Sequence, residues 1–316
     1  MNIPHEVSEP LSLDIPDFAC PSCHRPLVAD PAGWRCAEEE IQFPTETGIP
    51  SFLLPGRLEA LEEFLTSYHR IRRAEGWGNE AARYYRDLPY VDQSGTHAPI
   101  WRIRARTFDS FLIHFSRQAG ERRIRCMDIG AGNCWLAARL AELGHSVVAL
   151  DINLDRLDGL EALSNFPHLQ RSRIVRVRAD FDALPFGPES FDIVVLNASL
   201  HYASDVWHTF SHAMNVLRSQ GVLYILDSPI YPSDEAGEQM IQEQRKSFAG
   251  LVGNALPERR GKGYLTEPMI QEMKMMHRSE VLLPSYGLRW RLRPFVARAL
   301  GRRQPASFKI IAFHKD

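Results

Sequence analysis

The chain has no apolar run of about 18 residues, the length a bilayer-spanning helix requires, so no membrane span is expected. Its first residues, Met1-Asn2-Ile3-Pro4-His5-Glu6, lack a basic start and an apolar stretch. No secretory leader is expected from them. Cysteine is scarce: five residues, an odd number, exclude a disulfide framework and point to a reducing, cytoplasmic setting. No internal repeat or low-complexity tract interrupts the 316 residues. A formal net charge of −2 provides no overall field to select a partner. The charge is unevenly spread, however. Residues 1–56 carry nine acids against two arginines. Residues 289–316 carry Arg289, Arg291, Arg293, Arg298, Arg302, Arg303, Lys309 and Lys315 against Asp316 alone. Such ends can dock on each other, leave a basic rim for an anionic substrate, or be solvated surface.

The length suits one large domain and a small one. Residues 1–17 are polar and proline-punctuated and read as a loose arm. Residues 18–56 read as a small β module with short strands near Trp34-Arg35-Cys36 and Ile41-Gln42-Phe43. Cys20-Pro-Ser-Cys23 and, twelve residues on, Cys36 supply three thiols. A second Cys-x-x-Cys would end at residue 39, which is Glu39. Glu38, Glu40 and His24 are other candidates for the fourth ligand, and three thiolates and a carboxylate can hold zinc; without metal, Trp34, Phe43 and Phe52 would hold a degenerate zinc ribbon together. Residues 57–121 read as a helical linker and lid. Leu58, Leu61, Leu65, Tyr68 and Ile71 share one helix face, which suits packing on the neighbouring domain.

Residues 122–316 alternate apolar runs with helical patterns, which predicts a largely parallel sheet. The expected strands lie near 124–128, 147–150, 174–179, 191–196 and 222–226. Two late strands, 280–283 (extending toward Trp290) and 308–313, suit a terminal antiparallel hairpin. The most informative stretch is 126–151. An apolar run ends in Asp128, Gly130 and Gly132 form a turn, a helix follows from Trp135, and a second run ends in Asp151. This strand, turn, helix, strand and acid is the front half of a doubly wound nucleoside-binding fold. A dinucleotide turn would need glycine at 135, where Trp135 stands, so a ligand with a ribose and no pyrophosphate fits better. Asp151 can accept from both ribose hydroxyls, and Asp128 suits a cationic amino-acid group.

The segment resembles motif I of class I S-adenosylmethionine-dependent methyltransferases, of the type 11 kind. The fold class this implies is α/β: a Rossmann-like methyltransferase sheet behind a zinc-ribbon-like module. The resemblance covers residues 124–230 well. It implies S-adenosylmethionine as cofactor, contacted by Asp128, Gly130, Gly132, Asp151 and Ile152. The resemblance also implies that Asp180 meets the adenine amino group, Phe181 lines the base, and Asn197 lies beside the methionine part. It places His201 near the transferred methyl. A histidine there can remove a proton from a hydroxyl or amine, or cap the next helix. Tyr84, Tyr85 and Trp101 come from a segment that commonly folds over the cofactor, and are equally suited to helix packing.

The Asn-Pro-Pro-Tyr pattern of many amino-group methyltransferases is absent. A cysteine-bearing module ahead of such a domain is similar to bacterial ribosomal-RNA guanine-N1 methyltransferases, but Glu39 departs from their metal set. An acidic module is also poorly suited to phosphate contacts. The expectation is therefore methyl transfer to a small or medium-sized acceptor. The alternatives are a ribosomal-RNA base methyltransferase and a non-catalytic cofactor-binding or partner-docking protein.

Overall fold

The computed structural model describes residues 14–252 and 260–316; residues 1–13 of the expected arm lie outside them. Four short strands, β1 (Val28–Asp30), β2 (Gly33–Cys36), β3 (Ile41–Glu46) and β4 (Ile49–Pro50), form an antiparallel meander. Phe18, Cys20, Cys36, Phe43 and Phe52 lie under it and belong to the same buried cluster as Phe181, Leu184 and Phe186 of the larger unit. The backbone stitches the two together: the Ala19 amide donates to Pro185 O (3.0 Å) and the Phe52 amide to Arg178 O (2.8 Å). The small module thus sits on one edge of the main sheet.

Three helices follow: α1 (Arg57–Ala74), α2 (Ala82–Asp87) and α3 (Ala98–Ala119). Then come β5 (Arg125–Ile129), α4 (Trp135–Glu142), β6 (Ser146–Asp151), α5 (His168–Arg171), β7 (Ile174–Arg178), β8 (Phe191–Asn197), α6 (Val206–Asn215) and β9 (Leu217–Leu226). The chain continues through β10 (Ile230–Tyr231), α7 (Asp234–Val252), β11 (Leu265–Thr266), α8 (Glu267–Met276), β12 (Ser279–Leu282), α9 (Leu288–Ala299) and β13 (Ile310–His314). The main sheet has the order β12-β13-β9-β8-β5-β6-β7. β5 to β9 are parallel, and β13 runs antiparallel to both β9 and β12. Ser-Val-Val-Ala-Leu of β6 is wholly buried, as a strand covered on both faces must be.

The late strands pair as expected, but the stretch through Trp290 is helical. Pro284 and Gly287 end the strand, and Leu288, Leu292, Phe295 and Val296 repeat at helical spacing. No helix of the described residues is long and apolar enough to cross a membrane.

β5 has its helix-connected successor β6 on one side and β8 on the other. This reversal opens a crevice at the carboxyl ends of the strands, the usual ligand position in open α/β sheets. Helix α1 is tied beside it by ion pairs that include Arg57 Nε to Asp180 Oδ2 (2.7 Å), just after β7, and Arg72 to Asp158 (Nη2 to Oδ1 2.9 Å), just after β6.

Candidate functional site

Gly130 and Gly132 both have positive φ (+74° and +51°), and Cys134 is left-handed as well (+63°). A Cβ at residue 130 would stand 2.4 Å from Ser199 Cβ, so the first glycine is required by the close approach of the loop after β8. The turn aims its amides at the second acid. Gly132 N–H donates to Asp151 Oδ2 and Asn153 N–H to Asp151 Oδ1, both at 2.8 Å. Burial raises the Asp151 pKa, and the Asn153 and Gly132 amides oppose the rise. Its carboxylate is therefore fixed in direction before any ligand arrives.

Asp128 on β5 is 1% exposed, and among the described residues neither carboxylate oxygen has a partner at hydrogen-bond geometry. Burial, then the charge of Asp151, pushes its pKa up to about 7, with only the Ala137 amide pulling the other way. An unpartnered buried carboxylate is costly and marks a place for a missing cation or donor. Asn197 Oδ1, at the end of β8, is also buried without a partner.

A small cavity of about 100 Å3 brings together Gly130, Gly132, Asp151, Ile152 and Phe181 of the expected cofactor contacts. Phe64, Leu65 and Tyr68 of α1 form its cover. Asp128, Asp180 and Asn197 lie off its wall. Asp180 already has partners: Arg57 and Arg260 both donate to its carboxylate. Burial would raise its pKa, but the Arg260 hydrogen bond and charge more than offset this, and the carboxyl lies below its ordinary range. The Arg260 guanidinium carbon also stands 4.8 Å from the centroid of Phe181.

A second, larger cavity of about 590 Å3 adjoins the first; Phe64, Tyr68, Ala198, Tyr202 and Arg260 line both. His201 lines the larger one and is 8% exposed. It stands in a 3-10 turn (Leu200–Tyr202), with Nδ1 3.4 Å from Ser228 Oγ and its carbonyl accepting from the Gly263 amide. Asp227 lines the same cavity and accepts from Thr107 Oγ1 at 2.7 Å. Burial raises its pKa, while Thr107 and the charge of Arg104 act against that. Arg104 and Arg293 also line this cavity, and among the described residues neither has a carboxylate within ion-pair distance. Burial lowers the pKa of each.

Tyr84, Tyr85 and Trp101 line neither cavity. All three are at most 1% exposed in the core, with the Tyr85 hydroxyl donating to Leu157 O and Trp101 edge-on to Trp135. The crevice is covered instead by α1, whose apolar face the sequence assigned to packing; Leu61 and Leu65 do pack on Ile152, while Phe64 and Tyr68 reach the cavities. The aromatic pair within that face was the available signal. Arg260 carries no local signal, because only the tertiary fold brings it to Asp180.

In the small module Cys20, Cys23 and Cys36 place their thiols within 4.8 Å of one another. Burial pushes Cys20 up to about 11; at Cys36 burial is outweighed by the Glu39 amide and the neighbouring thiols, and the pKa is lowered. The donor chemistry fits a thiophilic ion. The Glu39 side chain is not in this group: its Oε1 accepts from Ser22 Oγ at 2.9 Å.

Residues 127–225 match the family model described as a methyltransferase domain. This segment is similar to methyltransferase domains. It is 29% identical over 180 residues to 27-O-demethylrifamycin SV methyltransferase of Amycolatopsis mediterranei, covering 56% of this chain and 62% of the relative. It is 28% identical over 131 residues to malonyl-[acyl-carrier protein] O-methyltransferase of Gallionella capsiferriformans, covering 40% and 42%. The matches thus span less than two thirds of either relative. Among solved structures, a sarcosine dimethylglycine methyltransferase from Galdieria sulphuraria, so named as a candidate, shares the fold with TM-score 0.50 at 14% identity, over 79% of this chain and 98% of that one. The matched segment contains both the glycine turn and the strand that ends at Asn197.

Proposed function

We propose that this chain is an S-adenosylmethionine-dependent methyltransferase acting on a small or medium-sized acceptor. The observation that carries the reading is the pair of adjoining cavities, one at the Gly130–Asp151 turn and one at His201, with a shared wall at Ala198 and Tyr202. A ribose fits the pre-aimed Asp151 carboxylate, and the amino-acid ammonium supplies the cation that Asp128 lacks. Phe181 offers a ring for the base once Arg260 moves off it. The smaller cavity lies below the roughly 300–1,000 Å3 of ordinary ligand sites, so α1 or Arg260 must withdraw on binding. When bound, the cofactor supplies an electrophilic methyl group. The protein's part is to align the acceptor, exclude water with α1, and take up a proton, a role assigned in this reading to His201 because it lines the larger cavity.

Two features bear on the acceptor. One relative is named an O-methyltransferase and the other acts on a 27-O-demethyl compound, which favours an oxygen nucleophile here. Among the described residues Arg104 and Arg293 have no carboxylate within ion-pair distance, which favours an acceptor that also bears an anionic group. In the small module Cys20, Cys23 and Cys36 would hold zinc, with solvent completing the set. The test is transfer of tritiated methyl from S-adenosylmethionine into fractionated cell extract. Label in small acidic molecules is expected; label in RNA alone would replace this reading with RNA base methylation, and cofactor binding without transfer into any fraction would leave a binding protein.

A further inference from the structure

Helix α9 buries none of its residues. At about 3.6 residues per turn, Leu288, Leu292, Phe295, Val296 and Ala299 form one stripe. That stripe faces solvent: Leu288 is 69% exposed, Leu292 45%, Phe295 71% and Val296 52%, with Leu300 just beyond at 57%. The opposite face meets the protein. Trp290, Arg293 and Ala297 are half-buried there, and Trp290 packs on Tyr286 and Phe308 with ring centroids 5.0 and 5.7 Å apart. An amphipathic helix ordinarily turns its apolar stripe toward the core; this one is fixed by Trp290 with the stripe outward. A contiguous exposed stripe of this kind marks a contact surface.

Charge selects the occupant. Arg289 borders the stripe on one side and Arg291 and Arg298 on the other, all exposed. Arg302 and Arg303 follow, and residues 288–303 contain no acid. Apolar side chains flanked on both sides by arginines are the pattern of a helix lying in the plane of an anionic bilayer, where the apolar groups enter the acyl boundary and the guanidinium groups reach the phosphates. A second copy of the chain would face these cations with its own. Twelve residues span about 18 Å, too short to cross a hydrocarbon core of about 30 Å but ample to lie on it. We propose that α9 docks this protein onto an anionic lipid surface. Arg293 of the same helix lines the larger cavity, so docking would hold that cavity near the lipid headgroups.

The test is co-sedimentation of the full chain with phosphatidylcholine vesicles, with and without phosphatidylglycerol. Binding is expected only with the anionic lipid and should weaken as salt rises. Phe295→Glu should lower it at least about tenfold, since an aromatic that would enter the acyl boundary is replaced by a charge. Arg289→Gln with Arg298→Gln should also weaken it and flatten the salt dependence. Because both sites are exposed, melting curves of the variants should match the parent. No preference for anionic vesicles, or full binding by Phe295→Glu, would overturn the proposal. So would equal capture by polyglutamate, which would mark an acidic protein partner, or a dimer abolished by Phe295→Glu without vesicle binding.

Discussion

Arg260 pairs with Asp180 while its guanidinium lies over the Phe181 ring, so one cation covers both groups that suit a nucleobase. Among the described residues Arg260 Nε and Nη1 are buried with no hydrogen-bond partner, and Asp180 also holds Arg57 at the start of α1. The expected outcome is asymmetric. Asp180→Ala leaves the buried Arg260 with only its longer contact to Asp182 Oδ2 (3.2 Å) and should cost stability, though less than the roughly 3–5 kcal/mol of a fully stranded charge, read by denaturant unfolding. Arg260→Ala leaves Asp180 with Arg57, should cost less, and should tighten S-adenosylhomocysteine binding severalfold by clearing Phe181. Unchanged affinity in calorimetry would show that the cation is not in the ligand's way.

Asp128 gives a pH signature. Its folded pKa is raised to about 7 from 3.8, so the group favours the folded state fully at low pH. That contribution is lost as pH rises toward 7, because the unfolded chain ionises first. Apo stability should therefore fall across roughly pH 4–7 by an amount on the order of 1–4 kcal/mol attributable to this group, and Asp128→Asn should lack that fall. Binding of a cationic ligand group needs the ionised form. Cofactor affinity should therefore drop up to about tenfold per pH unit below 7, with proton release seen as a buffer-dependent heat. Affinity flat from pH 5 to 8 would remove Asp128 from the binding site.

His201→Ala is expected to leave cofactor affinity nearly intact and to lower turnover roughly 10- to 1,000-fold, if the acceptor must lose a proton. The residue is in the larger cavity and off the smaller one, which separates the two readouts. Full turnover of the variant across pH 5.5–8.5 would assign His201 to packing of its turn.

The cysteine group should take up zinc in a labile form. Glu39→Ala is expected to leave uptake unchanged, because that carboxylate is held by Ser22, whereas Cys36→Ser should abolish it. Elemental analysis after chelator treatment decides: one zinc per chain that survives the chelator would mean a complete fourth ligand.

The glycine turn, both acids, the parallel strands and the three thiols were readable in the sequence because each is a local pattern: a strand period, a turn residue, a Cys-x-x-Cys spacing. Asp128 and Asp151 end adjacent strands whatever surrounds them, so their convergence followed from the βαβ order alone. The basic C-terminal stretch was readable as charge but not as position; Arg293 and Arg303 reach the larger cavity only through the packing of α9 and the loop beyond it. What covers the crevice was decided by tertiary structure. The helical pattern of α1 could show that it had an apolar face, but not that Arg57 and Arg72 would pair with acids after β7 and β6 and lay Phe64 and Tyr68 over the turn. Tyr84, Tyr85 and Trp101 went into the core for the same reason, since an aromatic residue's neighbours across about 30–80 positions are not encoded by its local spacing. Asp180 was legible as a candidate ligand of the base; that it is instead paired with arginines from residues 57 and 260 is a fact of long-range packing, which no local period records.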